Sequence, residues 1–262
     1  MIASLLRSAK KYGFLLYELI LRDFKVKYKR SVLGMLWSLL YPVLMMCVMA
    51  LVFRNVFRFS SPGVSYLSYL MTGLTFFNYF SEASNLAMSS VVANFALLNK
   101  VYMPKYIFPL SKCLFVGINF LLTLLPLYAV ILLTGTGLCW QHLLLPYAYV
   151  CLFLFTLGMA LLLSASAVFL RDLFYIYGIV LTIWTYLTPI MYELESVGSA
   201  ALIALLKLNP LYQYILFART IILSHATPSA GQFFCCALSA VLALLIGAGF
   251  FRRRQDRFIY YV

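Results

Sequence analysis

The chain has 262 residues, of which 65% are hydrophobic and only 10% are charged, and its mean hydropathy is +0.97. This composition excludes a water-soluble globular protein and predicts a polytopic membrane protein with no room for a separate soluble domain. The formal net charge of +13 does not indicate nucleic-acid binding, because the basic residues lie at the ends of apolar segments and not on one surface. We therefore expect no nucleic-acid partner.

The first element is a basic amphipathic helix within residues 1–32. Its apolar side chains recur at helical spacing and form one face: Tyr17, Ile20, Leu21, Phe24 and Tyr28. Another face is basic, with Arg22, Lys25 and Lys29. We expect two ion pairs along this helix, Glu18–Arg22 and Asp23–Lys27. A helix of this kind lies in the membrane interface rather than crossing the bilayer.

Residues 33–262 contain six segments that are long and apolar enough to cross a bilayer. They lie at roughly 33–53, 65–91, 112–134, 143–170, 173–192 and 232–251. An even number of crossings puts both termini on one side, where 16 Lys and Arg residues fall, against 4 on the other side. The positive-inside rule therefore predicts cytoplasmic termini.

Polar residues share one face of the second segment. Asn78, Glu82, Asn85 and Ser89 recur at helical spacing, and a carboxylate within a span is costly unless it faces protein or water. Two interpretations stay open: this face lines a pore or a subunit seam, or Glu82 lies near the membrane interface, neutral or bonded to a neighbouring helix.

Aromatic residues follow the same segment, at positions that fit the wall of a sugar channel. Sugar C–H faces stack on aromatic rings, while sugar hydroxyls bond to polar side chains. The alternative is ordinary core packing or lipid contact, because aromatic residues are common near membrane interfaces. The candidates are Tyr66, Tyr69, Phe76, Phe77 and Phe80, with Trp184 and Tyr186 of the fifth segment as weaker ones.

Two connections on the predicted cytoplasmic side are unusual. Residues 94–110 carry Lys100, Pro104 and Lys105 in an apolar context, so we expect this segment to dock against another part rather than form a solvated loop; the alternative is an interfacial helix with no partner. The connection at Arg171-Asp172 has almost no loop. We expect Asp172 to cap the fifth helix with its side chain.

The connection at residues 193–229 contains two short apolar runs, about 199–206 and 211–223, separated by Lys207 and Asn209-Pro210. Neither run is long enough to cross a bilayer. Non-helical backbone at membrane depth must be covered by protein or line a wet cavity. We therefore expect a re-entrant or interfacial helical hairpin on the outer side, which is a candidate lid over an exit.

The sequence has no P-loop, no HExxH or GxSxG motif and no acidic metal-binding pattern. The six cysteines show no Cys-x-x-Cys spacing, so we expect neither a disulfide framework nor a zinc site. We expect a protein that is not an enzyme and that binds no metal or cofactor. If it moves a solute uphill, the energy comes from another chain or from an ion gradient.

Several motifs, in their order and spacing, resemble the membrane subunit of ABC-2 type exporters of lipid-linked polysaccharides, meaning O-antigen, capsule and teichoic acid. The resemblance covers nearly the whole chain. One departure is visible, since Phe76-Phe77 stands where the family often has Pro-Trp. The matching motifs are Arg22-Asp23 through Arg30, Leu33-Gly34 with Trp37-Ser38 and Pro42, Gly73-Leu74 with Phe77-Asn78 and Phe80, Lys100 to Pro104 with Pro109-Leu110, Phe169 to Asp172, Pro189 to Tyr192, Leu208 to Leu211, and Arg219.

The resemblance implies a homodimer in the bacterial inner membrane, surrounded by lipid and bound to two copies of a cytoplasmic ATPase that holds the ATP and Mg²⁺. It implies ATPase coupling by Arg22, Lys25, Lys29, Lys100, Pro104, Lys105, Arg171 and Asp172. It implies an outer gate in residues 193–229, with Tyr192, Asn209, Pro210 and Arg219. The substrate channel for a lipid-linked polysaccharide would then be lined by Tyr66, Tyr69, Phe76, Phe77, Asn78, Phe80, Glu82, Asn85, Trp184 and Tyr186.

Two other classes of function stay open. An ABC-2 type exporter of a small amphiphile or drug has the same architecture but needs a closed or lateral pocket, and the aromatic content of 17% favours sugar. A membrane-embedded enzyme would be active without an ATPase, and an ion-driven carrier would respond to ionophores.

Overall fold

The computed structural model describes residues 2–56, 65–98, 103–135, 137–194 and 198–261. These residues form ten α-helices and a few short 3₁₀ segments, with no β-strand among them. Lys100, predicted as a coupling residue, lies outside the described residues. The helices are α1 (Ile2–Lys27), α2 (Trp37–Val56), α3 (Tyr66–Ala93), α4 (Phe95–Leu98), α5 (Ile107–Leu133), α6 (Leu145–Phe169), α7 (Leu173–Leu187), α8 (Ala200–Lys207), α9 (Pro210–Ile222) and α10 (Ala230–Arg254).

Three helical segments of the described chain are long and apolar enough to cross a membrane: Ile107–Leu133, Trp140–Phe169 and Ala230–Phe258. α8 and α9 meet at 85° and would add a fourth if they formed one broken span. These helices are those of a polytopic membrane protein. α2, α3, α5, α6, α7 and α10 overlap the six predicted segments, but the number of six crossings stays a prediction.

The core surrounds α3, which packs against α5, α6 and α9. α3 and α5 are antiparallel, because Ser68 bonds to Thr134 at 2.9 Å near one end, whereas Ala87 packs in one cluster with Cys113 near the other end. α9 is short, yet nine of its residues are buried. It therefore belongs to the core of the chain.

α6 and α10 cross at two glycines. A Cβ at Gly158 would overlap the carbonyl group of Ala243, and a Cβ at Gly247 would overlap the carbonyl oxygen of Gly158. Such close approach needs small residues at the crossing, as in other membrane helix pairs. The spacing of Ala243 and Gly247 in the sequence carries this signal.

α1 runs parallel to α5 along its second half. Leu19 packs in one cluster with Phe108, the rings of Phe24 and Phe115 are 4.7 Å apart, and Tyr28 donates a hydrogen bond to Asn119 Oδ1 at 3.0 Å. Each step along α1 is matched by a similar step along α5. The predicted helix is confirmed, and its second half is packed on the bundle.

The predicted details of α1 need correction. Tyr17 is 58% exposed, whereas Leu19 and Asp23 are buried. The face of α1 that packs on the bundle is therefore rotated about the helix axis relative to the predicted apolar face. The predicted pair Asp23–Lys27 is wrong, because Asp23 pairs with Lys112 at 2.7 Å and Lys27 pairs with Glu82 at 2.9 Å. Sequence spacing showed the possible partners within the helix but not those on α3 and α5.

Candidate functional site

The polar residues of α3 lie on its uncovered face. From Tyr66 to Val92, Asn78, Glu82 and Asn85 are the exposed residues, and α2 and α7 also contact α3. The rest of α3 is packed in the core. These three exposed polar side chains are not expected to face lipid, because burying polar groups in hydrocarbon costs free energy. We call Asn78, Glu82 and Asn85 the polar face.

Three of the predicted channel rings lie behind the polar face. Phe76, Phe77 and Phe80 are at most 4% exposed, and Phe80 packs against Phe155 and Trp184 at centroid distances of 5.6 and 5.1 Å. These rings do not reach the exposed surface of the chain. Their contacts are those of ordinary core packing, which was the alternative interpretation.

The two candidates on α7 differ from each other. Tyr186 is 71% exposed and lies on the surface of α7. Trp184 is half-buried and donates from Nε1 to Asn209 Oδ1 at 3.0 Å. Tyr186 is thus accessible to a solute or a partner, whereas Trp184 helps to fix the start of α9.

The N-terminal end of α3 is joined to α9 and to the loop after α7 by Arg219. This arginine is 5% exposed; it donates to the carbonyl oxygens of Pro189 at 2.7 Å, Ile190 at 3.0 Å and Tyr69 at 3.2 Å. Its guanidinium lies 3.4 Å from the ring centroid of Tyr69. A Cβ at Gly73 would come within 2.7 Å of the guanidinium, so the glycine leaves room for it. We call this arrangement the arginine clamp.

Two tyrosines of α3 add to the clamp. Tyr66 donates to the carbonyl oxygen of Met191 at 3.1 Å, and Tyr69 donates to that of Tyr192 at 2.8 Å. Residues 189–192 have no regular helix, so their carbonyl groups need donors from elsewhere. Tyr66, Tyr69 and Arg219 supply these donors, which explains why they lie here.

Asn209 holds the bend between α8 and α9. Its Oδ1 accepts from the backbone N–H of Leu211 at 3.1 Å, as an N-cap does, while its Nδ2 donates to Thr188 Oγ1 at 2.9 Å. Pro210 occupies the first position of α9, where a missing N–H costs nothing. The break predicted at Asn209-Pro210 is therefore confirmed, and it is tightly braced.

The predicted coupling segment docks on α1. Met103, Ile107 and Phe108 are buried in one cluster with Leu19. Two polar contacts join the same elements: Lys112 pairs with Asp23, and Arg22 donates to Asn94 Oδ1 at 2.9 Å. The expectation that residues 94–110 dock against another part is confirmed for the described part of this segment.

Lys105 ties this segment to the C-terminal end of the chain. Its Nζ donates to the carbonyl oxygen of Gln255 at 2.6 Å and lies 5.5 Å from the ring centroid of Phe258, which is fully buried. Burial lowers the pKa of Lys105, and the nearby Asp256 opposes that shift. The contact with residues 255–258 was not predicted, because nothing in the basic tail distinguished Phe258.

The remaining coupling candidates are exposed. Arg171 and Asp172 both lie on the surface; Asp172 occupies the predicted N-cap position of α7, but its side chain makes no hydrogen bond there. Their exposure leaves contact with a partner possible. On α1, a surface concavity of about 440 Å³ is lined by Glu18, Arg22, Lys25, Val26 and Lys29.

No group of three or more His, Cys, Asp or Glu side chains comes together in the described part of the chain. The candidate site has three parts. They are the polar face, the arginine clamp at one end of α3, and the contacts with α1 at the other end. Comparison with known families identifies what kind of protein carries this arrangement.

The chain belongs to the ABC-2 type transporter family, whose model matches residues 15–223. This match begins in the middle of α1 and ends just after α9, so it contains all three parts of the site. The family is one of membrane transporters, which agrees with the apolar helices.

Relatives of the chain are exporters of polysaccharides by name. It is 31% identical over 256 residues to an O-antigen export system permease protein of Myxococcus xanthus, with 97% of each chain covered. It is 26% identical over 239 residues to a permease of the same name from Klebsiella pneumoniae, with 90% of each covered. It is 21% identical to a polysialic acid transport protein of Escherichia coli, with 91% of this chain and 92% of that protein covered.

Proposed function

We propose that this chain is the membrane subunit of an ATP-driven exporter that moves a lipid-linked polysaccharide, similar to O-antigen, across the bacterial inner membrane. Family membership supports a transporter, and the names of the relatives support a polysaccharide as its substrate. ATP and Mg²⁺ would be bound by a separate ATPase and not by this chain.

The polar face of α3 is the observation that carries this proposal. A polysaccharide needs a path that can bond to hydroxyl groups along the depth of the membrane, and amide and carboxylate groups do this. The spacing from Asn78 to Asn85 along α3 is about 10 Å. The pathway wall would therefore consist of the polar face and the exposed Tyr186, with Phe76, Phe77 and Phe80 supporting it from behind.

A homodimer would enclose this wall. α7 exposes apolar and aromatic residues along most of its length, and α2 exposes Trp37, Tyr41 and Leu44. Two copies that face each other through α2 and α7 would cover these residues and leave the polar faces around a common path. Six crossings with cytoplasmic termini complete the proposed topology.

Two cytoplasmic copies of an ATPase would drive the cycle. The contact residues would be the basic face of α1, the segment around Pro104 and Lys105, and the exposed turn at Arg171-Asp172. α1 is bonded both to α5, through Asp23, and to α3, through Lys27. Movement of α1 would therefore reach the polar face directly.

The outer gate would move in α8 rather than in α9. Leu206 is the buried residue of α8, whereas α9 is packed in the core and held by Arg219 and Asn209. A rigid α9 with an exposed α8 at 85° suits a lid whose base is fixed. Tyr192 and Arg219 would then belong to the base, with Asn209-Pro210 at its edge.

A second candidate is an ABC-2 type exporter of a small amphiphile. The burial of Phe76, Phe77 and Phe80 favours it, because fewer rings are left to stack on sugars. Export assays with a lipid-linked glycan and with a fluorescent amphiphile distinguish the two substrates.

The proposal is tested by purification of the chain in mild detergent and by export from cells. We expect a P-loop ATPase to co-purify at a ratio of about one to one, and deletion of the chain to leave lipid-linked polysaccharide inside the cell. Full surface polysaccharide without the chain, or a purified chain that binds no ATPase, would contradict the proposal.

A further inference from the structure

The carboxylate of the polar face is bonded to α1. Glu82 Oε1 accepts from Lys27 Nζ at 2.9 Å, and the two side chains are 45% and 37% exposed. Lys27 also lies 5.4 Å from the ring centroid of Phe115. The last turn of α1 is thus attached to the proposed pathway wall by one partly exposed ion pair.

This ion pair lies deeper in the bundle than the Asp23–Lys112 pair. Since Tyr79 contacts the ring of Phe120 and Ala87 packs with Cys113, Glu82 lies level with about residue 117 of α5. Lys112, which holds Asp23, comes about five residues earlier, or about 8 Å along the helix. The Lys27–Glu82 pair is therefore beyond the Asp23–Lys112 pair along the proposed path.

The two ion pairs also differ in strength. The side chains of Asp23 and Lys112 are 8% and 18% exposed, with a 2.7 Å contact, and Arg22 also contacts Asp23 at 3.3 Å, so separating Asp23 from Lys112 would leave the buried carboxylate with the more distant Arg22 alone. Water can replace the partners of the more exposed Lys27 and Glu82, and such pairs break easily. α1 can therefore pivot at Asp23 while its last turn leaves α3.

The chain after Lys27 permits this motion. α1 ends at Lys27, and the following turn contains Arg30 and Gly34, both with positive φ, 64° and 50°. This turn separates α1 from α2, so the last turn of α1 can move without bending a continuous helix. Tyr28 is bonded to Ser38 and Asn119, so these two bonds have to break or shift when the last turn of α1 leaves α3.

We propose that Lys27 and Glu82 form a latch between the ATPase-facing helix and the pathway wall. While it is closed, α1 is held against α3 and the Glu82 carboxylate is occupied. When α1 is displaced, the pair breaks, and Glu82 with Asn85 can accept hydrogen bonds from a polar solute. That solute is a polysaccharide only under the proposed function, but the latch itself is measurable without it.

Spin labels on Val26 and Ala93 report the distance between α1 and α3. Both side chains are exposed and take no part in the Lys27–Glu82 pair, although Val26 borders the concavity of α1; the chain is measured without the ATPase, and the six native cysteines are replaced. By pulsed electron resonance on the full chain in nanodiscs, we expect Lys27→Glu or Glu82→Lys to raise the separated population about fivefold or more, through repulsion. The double reversal should restore the parent distribution, and Lys27→Arg should leave it unchanged.

Neutral variants cover the case in which a reversed charge prevents membrane insertion. Lys27→Gln and Glu82→Gln should raise the separated population about two- to threefold. The latch is overturned if these variants and the reversals give the parent distribution, or if the double reversal stays as separated as the single ones.

A second measurement keeps the latch distinct from the proposed function. Cysteines at positions 27 and 82, joined by a reducible cross-linker, should stop export, and a reductant should return export to the level of the same variant before cross-linking. Export that continues in the cross-linked protein overturns the latch while the exporter stands. Absence of a bound ATPase, with the distance changes as expected, overturns the exporter while the latch stands.

Discussion

The two ends of α3 are attached to the rest of the chain in different ways. At its N-terminal end, the buried Arg219 and the partly buried Tyr66 and Tyr69 make a network with the backbone of residues 189–192. Toward its C-terminal end, Arg22 and Lys27 of α1 reach α3 through partly exposed polar contacts. The first arrangement suits a fixed support and the second a contact that opens. We infer that motion enters the wall from the α1 side.

The largest expected effect is on the fixed end. Arg219→Ala leaves the carbonyl oxygens of Pro189 and Ile190 without their donor in a buried site, and we expect a loss of about 3 kcal/mol or more of stability. Membrane abundance and thermal unfolding in detergent measure this loss. Arg219→Lys keeps the positive charge but not the planar guanidinium group, so its stability should lie between that of the parent and that of Arg219→Ala. A stable Arg219→Ala protein would show that this end is not the fixed one.

Asn209→Ala should have the next largest effect. It removes the N-cap of α9 and the bonds to Trp184 and Thr188, and we expect about 1–2 kcal/mol of lost stability. Asn209→Ser is the matched control, because serine also caps helices. If both variants unfold at the temperature of the parent, the bend is not braced by this residue.

A smaller effect is expected at the pivot of α1. Asp23→Asn keeps the shape of the side chain but removes its charge beside Lys112, and we expect the midpoint of thermal unfolding to fall by a few degrees. Co-purification of the ATPase should weaken as well, because α1 is held less firmly. Glu18→Gln, on the exposed side of α1, should change the unfolding midpoint little. Equal midpoints for both variants would contradict a pivot at Asp23.

The smallest expected effect on stability is at the latch. Lys27→Gln removes a half-exposed ion pair, so the change should be below about 1 kcal/mol after screening by solvent. Export per unit of ATP hydrolysed should nevertheless fall, because α1 no longer holds Glu82. A large loss of stability would show that the α1 contact is structural and not a latch.

Sequence patterns were sufficient for elements whose signal is local. The basic amphipathic helix, the apolar segments, and the break at Asn209-Pro210 follow from periodicity, length and turn chemistry, and they are present in the structure. The polar face also follows from the spacing of Asn78, Glu82 and Asn85. Each of these signals needs no knowledge of which helices touch.

Contacts between distant segments did not follow from the sequence. Phe76, Phe77 and Phe80 have the spacing of a channel wall, but packing by α5, α6 and α7 places them in the core. Helical spacing predicts Lys27 as the partner of Asp23. In the structure Asp23 is buried against α5, and this burial favours pairing with Lys112 instead. The role of Phe258 depends on how the tail folds back, which no local pattern in the basic tail specifies.

The central claim is that the polar face, and not the buried aromatic stripe, forms the pathway wall. In a background without native cysteines, single cysteines at positions 78, 85, 77 and 80 can be labelled with a membrane-impermeant thiol reagent during export. The account predicts that positions 78 and 85 react and are protected while polysaccharide passes, whereas positions 77 and 80 do not react. Reaction at 77 and 80 with none at 78 and 85 would contradict it.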